Sequence, residues 1–226
     1  MHGGITSFPN GTDTATGSKP FLISKKFVWM VMRLETKEHV LFCIMGESAA
    51  GKDTLINRLC QISNFTQLIS FTTRPQRNNE GATHIFVDTD MYEAMRNNDE
   101  IAAYTCINNN HYWSTISQLY DSDLYAIDPI GVESLKALNL PNLRIVTVYI
   151  NVPEDIRKQR AMERGDNANV YRARCMSERN QFKDMKKNMD VDYVIPNINK
   201  ANALSVLKWI ATVEGLWMNH AEDKVE

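Results

Sequence analysis

A glycine-bounded loop that ends in lysine is the first segment of this sequence whose residue types and spacing indicate chemistry. After an apolar run and at the start of an amphipathic stretch, it reads Gly46-Glu47-Ser48-Ala49-Ala50-Gly51-Lys52-Asp53-Thr54. In a strand, GxxxxGK loop and helix, successive backbone N–H groups converge on phosphate oxygens at the positive end of the helix, and the lysine reaches the terminal phosphates. The spacing therefore predicts a phosphate-binding loop.

Asp53 departs from this motif, which has Ser or Thr at that position to ligate Mg²⁺. A carboxylate can bind Mg²⁺ directly or through water, and Thr54 follows it in the chain. We therefore predict that Asp53 is the metal-binding residue of the loop.

Two groups of basic residues elsewhere could also bind phosphate. Arg74 and Arg77 flank Pro75, and forked guanidinium groups suit a bidentate grip on a phosphate. Taken alone, exposed basic residues such as these more often form a solvated surface than a phosphate-binding site. In a phosphate-binding fold, however, we expect some of these side chains to bind phosphates. The second group consists of Arg157, Lys158, Arg160, Arg164, Arg172, Arg174 and Arg179.

Short apolar runs alternate with longer amphipathic stretches from His39 onward, which is typical of βα units and a mainly parallel sheet. We predict the strands of this sheet at 39–45, 67–71, 124–128, 144–150 and 193–196. Helices are predicted at 52–62, 90–97, 130–137, 153–164, 169–182 and 201–213. Three short strands, at 83–87, 102–107 and 111–115, predict a small antiparallel insert, and Asn108-Asn109-Asn110 supplies the turn between the last two.

Composition and charge narrow the classes of function. The 226 residues carry 25 Lys+Arg against 27 Asp+Glu, and 43% are apolar, an ordinary balance for a globular domain. Because there is no basic block, we expect no nucleic-acid partner. The four cysteines lie far apart and the histidines lack metal-ligand spacing, which indicates reduced thiols in a cytoplasmic protein and no zinc framework. The apolar stretch at 21–32 is too short and too interrupted by lysine to span a bilayer, so we expect no membrane partner.

Four motifs occur in the order found in the guanylate kinase family, over about residues 40–213. They are the loop at 46–54, the stretch Thr72-Thr73-Arg74-Pro75-Gln76-Arg77 followed by Glu80 and Phe86-Val87, the run Tyr112-Trp113-Ser114-Thr115, and the run Asp192-Tyr193-Val194-Ile195-Pro196-Asn197. The TTRPxR stretch is the most family-specific of them. The sequence thus resembles a guanylate-kinase-like P-loop nucleotide kinase.

The resemblance implies an α/β, three-layer P-loop NTPase fold with a mainly parallel sheet, a small antiparallel acceptor-binding insert and a helical lid. We expect this domain at 36–213, with the insert at about 70–115 and the lid at about 160–175. Residues 1–35 are expected to be a disordered or weakly ordered extension, because the first twenty or so are nearly all small and polar. Residues 214–226 would form a C-terminal tail. The oligomeric state stays open.

The resemblance also implies roles for individual residues, with ATP and Mg²⁺ as cofactors and a small phosphorylated acceptor as substrate. The catalytic residues would be Lys52, Arg74, Arg77, Arg160, Arg164 and Arg174. ATP would be bound by Gly46, Ser48, Ala49, Ala50, Gly51, Lys52, Asp53 and Thr54, with Asn197 beside its base. The acceptor would be bound by Ser70, Arg74, Arg77, His84, an aromatic residue at Tyr112 or Trp113, and Asp128.

The family pattern and this sequence differ at two positions that bear on the acceptor. Ala103 stands where the family has a glutamate that accepts hydrogen bonds from guanine, and Ala126 replaces one of two aspartates. We expect ATP-dependent phosphoryl transfer to a nucleoside monophosphate, GMP-like, with Asp53 compensating in part for the charge missing at Ala126. Two alternatives remain at this point: a sugar-phosphate kinase of the same fold, and a catalytically silent binding module.

Overall fold

The computed structural model describes residues 38–76, 84–188 and 190–216. The N-terminal extension, all but the first residues of the C-terminal tail, and Arg77 lie outside the described residues. The strands are β1 His39–Met45, β2 Gln67–Leu68, β3 Phe71–Thr72, β4 Ile85–Phe86, β5 Ile101–Ile107, β6 Asn110–Thr115, β7 Leu124–Ala126, β8 Leu143–Asn151 and β9 Tyr193–Pro196. The helices are α1 Lys52–Ile62, α2 Thr89–Asn97, α3 Ile116–Tyr120, α4 Pro129–Ala137, α5 Glu154–Glu163, α6 Ala168–Asn188 and α7 Lys200–Val213.

Five parallel strands form the main sheet in the order β2-β7-β1-β8-β9. Both faces of β1 are buried, because helices cover the sheet on its two sides, as is usual for parallel sheets. The side chains of Val40, Phe42 and Ile44 join a core with α1 and α7. Those of Leu41 and Cys43 join a second core with α3, α4 and α6. These three layers confirm the predicted fold class.

The second sheet has the order β4-β3-β6-β5 and carries α2 on one face. Its β5–β6 hairpin turns at Asn108 and Asn109, which have φ values of 50° and 60°. Left-handed backbone at both turn positions matches the twist of a two-residue hairpin, and asparagine tolerates it. β6 pairs antiparallel with both β5 and β3, as the predicted antiparallel insert implies, whereas β3 and β4 pair in parallel.

The prediction of a single strand at 67–71 was wrong. Gln67–Leu68 pairs with β7 in the main sheet, and Phe71–Thr72 pairs with β4 and β6 in the second sheet. Between them the carbonyl of Ile69 accepts a hydrogen bond from the Gln118 side chain at 2.8 Å, in place of a strand partner. The apolar run in the sequence continues through the point where the chain changes sheets.

Two helices differ from their predicted form. Helix α3 was not predicted, although Thr115 and Gln118 form a capping box at its start, and the Thr-x-x-Gln spacing is visible in the sequence. Helix α6 continues six residues past its predicted end, to Asn188. Its last turns look polar in sequence, yet Met185 there is buried in the second core. Among the described helices, none is both long and apolar enough to cross a membrane.

Candidate active site

The glycine-bounded loop joins β1 to α1 and is held closely from behind. Gly51 has φ 88°, and a Cβ there would lie 2.8 Å from the Nδ2 atom of Asn197. A Cβ at Gly46 would lie 3.0 Å from the carbonyl oxygen of Ile150. The two glycines are therefore required by the packing beneath the loop and, at Gly51, by a left-handed backbone.

Asn197 supports the loop from the end of β9. It is fully buried, and its side-chain amide donates to the carbonyl of Ala50 at 2.8 Å. Its backbone N–H donates to the carbonyl of Asn151 at 2.9 Å, which continues the pairing of β9 with β8. This places Asn197 behind the loop as a support; a role beside the ATP base stays a prediction.

Lys52, Asp53 and Thr54 open helix α1 directly after the loop. The Lys52 ammonium donates to the Gly46 carbonyl at 2.6 Å, so its charge lies across the loop. Asp53 and Thr54 are exposed in the first turn of α1. The charge of Asp53 contributes, after the hydrogen bond and charge of Asp166, to raising the pKa of Arg164, the residue that follows α5.

Among the described residues, no group of three or more acidic, histidine or cysteine side chains is placed to hold a metal ion. Asp53 could supply only one carboxylate. This donor set fits Mg²⁺, which is commonly held by one or two carboxylates together with substrate phosphates and water.

Two carboxylates to which the sequence assigned no role hold the loop in place: Glu47 within it and Glu178 from α6. Glu47 is buried, and its oxygens accept hydrogen bonds from the Tyr149 hydroxyl at 2.7 Å and from the Lys186 ammonium at 2.6 Å. Burial alone would raise the pKa of Glu47, but these two bonds and the charge of Arg157 outweigh it and lower the pKa below its ordinary value. Glu178 of α6 accepts hydrogen bonds from the Ser48 backbone N–H and hydroxyl, at 2.8 and 2.6 Å.

The second sheet brings four predicted acceptor-binding residues together. The Ser70 hydroxyl and the Nδ1 atom of His84 are 2.9 Å apart, and the ring centroids of His84 and Tyr112 are 5.7 Å apart. The Arg74 guanidinium lies 5.3 Å from the centroid of the Phe86 ring, which in turn contacts His84 edge-on. These side chains share one face because they alternate with the residues of β3, β4 and β6 that face α2.

Trp113 lies on the opposite face, so its predicted contact with the acceptor does not fit the structure. It is fully buried and stacks on Phe71 with centroids 5.5 Å apart, under Tyr92 of α2. Side chains alternate along a strand, so adjacent residues cannot share a face. Of the two aromatic candidates, Tyr112 is the one placed beside His84.

Asp128 follows β7, the parallel neighbour of β1, and so lies at the same edge of the main sheet as the phosphate loop. Its carboxylate caps α4 by accepting the Gly131 N–H at 2.9 Å. Burial raises the pKa of Asp128, while the helix N–H groups and the charge of Lys52 act in the opposite direction. Because β2, β7 and β1 are parallel neighbours, the residues that follow them, Ser70, Asp128 and the phosphate loop, lie at the same carboxyl edge of the main sheet, where ligands bind in such folds.

The two positions at which we expect this sequence to differ from the family pattern lie in or beside the core. Ala103 is buried with φ 49°, next to the irregularity between Ala102 and Thr105 where the β5–β6 register shifts. Ala126 ends β7 and packs against the first core. Burial raises the pKa of Tyr125, beside the acceptor face. Hydrogen bonding with the side chains of Ser114 and Ser70 acts in the opposite direction on this pKa.

The predicted lid arginines are held by one carboxylate and by backbone carbonyls. Arg164 donates two bonds to Asp166, at 3.0 and 2.6 Å, and Arg174 lies 3.6 Å from the same carboxylate. Arg160 donates to the Asn197 carbonyl at 2.7 Å. Arg157, from the same helix as Arg160, is buried and donates to the Val152 carbonyl at 3.1 Å, so this part of the basic group is not a solvated surface.

Comparison with known proteins places this arrangement in a family. A family model described as guanylate kinase matches residues 38–212. The guanylate kinase of Syntrophotalea carbinolica is 28% identical over 187 residues, which are 78% of this chain and 86% of that protein. The guanylate kinase of Nitrosomonas europaea is 30% identical over 168 residues, which are 70% of this chain and 81% of that protein. A crystal structure of guanylate kinase from Anaplasma phagocytophilum shares the fold, with a TM-score of 0.58 and 22% identity over 79% of this chain and 87% of that chain.

The family match covers the phosphate loop, the second sheet and the lid helices, so the resemblance carried by the four motifs is confirmed. The chain belongs to the guanylate kinase family and is an ATP-dependent nucleoside monophosphate kinase.

Proposed function

We propose that this enzyme transfers the γ-phosphoryl group of Mg·ATP to GMP, and that it discriminates only weakly between GMP and other nucleoside monophosphates. The observation that carries the proposal is that the phosphate loop with Lys52 and the acceptor face that begins at Ser70 both follow neighbouring parallel strands and so lie at the same edge of the main sheet. The curated relatives named above support GMP as the acceptor.

Catalysis in this proposal consists of positioning and electrostatic stabilisation, without a covalent intermediate. Lys52 neutralises charge that develops on the transferred group. Arg74, together with Arg77, holds the acceptor phosphate in line, and Tyr112 and His84 add polar contacts. The lid supplies further positive charge through Arg160, Arg164 and Arg174. To bind phosphate oxygens, Arg164 and Arg174 must release their contacts with the Asp166 carboxylate.

Mg²⁺, when bound with ATP, would neutralise negative charge on the phosphates. Asp53 would hold it, which is supported by its exposure in the turn that follows the loop. No other carboxylate in the described residues lies within the first turn of α1.

Weak base discrimination follows from the chemistry of the acceptor side. Ala103 is buried and carries no acceptor atom beyond its backbone, and the polar side chains near Ser70 include His84 and the hydroxyls of Ser114 and Tyr125. Hydroxyls both donate and accept, so they tolerate bases with different edges, whereas a carboxylate only accepts. A site with a guanine-reading carboxylate would reject other bases more strongly.

Steady-state kinetics with GMP, dGMP, AMP, CMP, UMP and dTMP as acceptors test this function. We expect kcat/KM for GMP to exceed that for other bases by about tenfold or less, which corresponds to about 1.4 kcal/mol. Selectivity of several hundredfold would show that another group reads guanine. Turnover of a sugar phosphate but of none of the nucleotides would replace the proposal with a sugar-phosphate kinase, and no turnover with any acceptor would indicate a silent binding module.

A further inference from the structure

We propose that Glu178 is an internal competitor of the donor polyphosphate: its carboxylate occupies a phosphate position on the loop, and the donor must displace it to bind. The inference rests on the proposed function for the identity of the donor. It is carried by the two hydrogen bonds from Ser48 to Glu178, between residues 130 positions apart in the chain.

The contact reproduces the chemistry by which such loops bind phosphate. One carboxylate oxygen accepts the backbone N–H of Ser48 at 2.8 Å and the other accepts its hydroxyl at 2.6 Å. An anion that accepts from loop N–H and hydroxyl groups is what the loop geometry selects. Each of these donors has a single hydrogen, so a phosphate oxygen and the carboxylate cannot share them at full strength.

Helix α6 holds Glu178 in this position through two more contacts on the same face. Phe182 and Lys186 follow at intervals of four residues, which places all three side chains along one side of the helix. Phe182 packs beside Tyr149, with ring centroids 6.1 Å apart, and Lys186 donates to Glu47 at 2.6 Å. The position of Glu178 is therefore set by the docking of α6 on the loop.

A displaced Glu178 has an alternative environment nearby. A cavity of about 460 Å³ lies between the loop and α6, and Glu178 is one of its lining residues. Arg157 lines the same cavity and donates to the Ser48 carbonyl at 3.4 Å, so a positive charge lies close to the carboxylate once it leaves Ser48. Displacement thus exchanges one charge-assisted contact for another, which keeps the competition reversible at moderate donor concentrations.

The test measures binding of tripolyphosphate and Mg·ATP by titration calorimetry to the full chain and to three variants. Glu178→Ala removes both bonds, and Glu178→Gln keeps the shape but removes the charge. Asp184→Ala removes an exposed acidic residue of the same helix and serves as the control. We expect Glu178→Ala to bind both probes about tenfold more tightly, Glu178→Gln to lie between it and the unmodified protein, and Asp184→Ala to be unchanged.

Unchanged or weaker binding in Glu178→Ala, with folding verified by circular dichroism, would overturn the proposal. If Glu178→Ala does not fold, the same comparison is made with Glu178→Gln. Absence of tripolyphosphate binding in every variant would also overturn it, since Glu178 would then have nothing to compete with. Failure of the proposed function looks different: tighter tripolyphosphate binding in the variants without phosphorylation of any nucleoside monophosphate.

Discussion

The phosphate loop and the acceptor face of the second sheet are built in different ways. The loop is one continuous segment, and its shape is set by contacts beneath it, such as the bond from Asn197 to Ala50. The acceptor face is assembled from short strands that are far apart in sequence, and its side chains contact one another across the sheet. A contiguous loop tolerates few substitutions, whereas an assembled surface can change individual contacts and keep its fold. We therefore expect the loop glycines and lysine to tolerate less change than single positions of the acceptor face.

The largest effect is expected at the loop. Lys52→Ala should keep the fold but reduce phosphoryl transfer by at least about a hundredfold, because removal of one preorganised charge contact costs about 3–4 kcal/mol at the transition state. Turnover of ATP with GMP measures it. Lys187→Ala, at an exposed position of α6, is the control and should retain full activity. Near-equal rates for Lys52→Ala and the control would remove Lys52 from the mechanism.

Substitution of Gly51 tests whether the packing beneath the loop sets its shape. Gly51→Ala combines left-handed backbone strain with a contact of 2.8 Å to Asn197. Gly215→Ala is the control, since Gly215 has φ 79° and no atom within 4 Å of the added Cβ. The control should lose about 1–2 kcal/mol of unfolding free energy from the backbone term alone, and Gly51→Ala should lose more and bind ATP weakly. Equal losses in urea denaturation would show that Asn197 does not constrain the loop.

On the acceptor face, a smaller effect separates two adjacent aromatic residues. Tyr112→Phe should raise the KM for the acceptor about fivefold, because it removes one hydrogen bond of about 1 kcal/mol, and should leave the KM for ATP unchanged. Trp113→Phe should leave both KM values unchanged, since Trp113 is buried on the other face. Kinetics that show the reverse pattern would mean that Trp113 contacts the acceptor.

The smallest effect concerns the buried carboxylate of the loop. The pKa of Glu47 is lowered in the folded protein, so this group stabilises the fold above its ordinary pKa near 4.5, and the stabilisation is lost as the pH falls through the folded value. Lys186→Met removes one cause of the lowered pKa and should cost below about 1 kcal/mol at neutral pH, because Lys186 is partly exposed and screened by solvent. Lys187→Met is the control. Denaturation at several pH values should show the Lys186→Met difference at pH 7 and its disappearance in acid; a difference that persists at the lowest pH would contradict the assignment.

Much of the fold was predictable because its signals are local. The bounds of β1, β9 and α1 agree with the predicted ranges, since apolar runs, a glycine-lysine motif and helical spacing are properties of consecutive residues. The same holds for the hairpin turn at Asn108 and Asn109. The strand at 67–71 failed because an apolar run carries no information about which sheet each half joins.

For the site, the sequence by itself determined which residue types could bind phosphate and in what order they follow along the chain. Only the tertiary structure decided that Tyr112 faces His84 while Trp113 is buried, because the strand register depends on how β6 packs under α2. It also brought Glu178 to Ser48 and Lys186 to Glu47, and no local pattern predicts contacts across 130 and 139 residues. Such contacts arise from the docking of α6 on the sheet. Burial of Phe182 and Met185 sets the position of the helix. The charged side chains beside them, Glu178 and Lys186, then contact the loop.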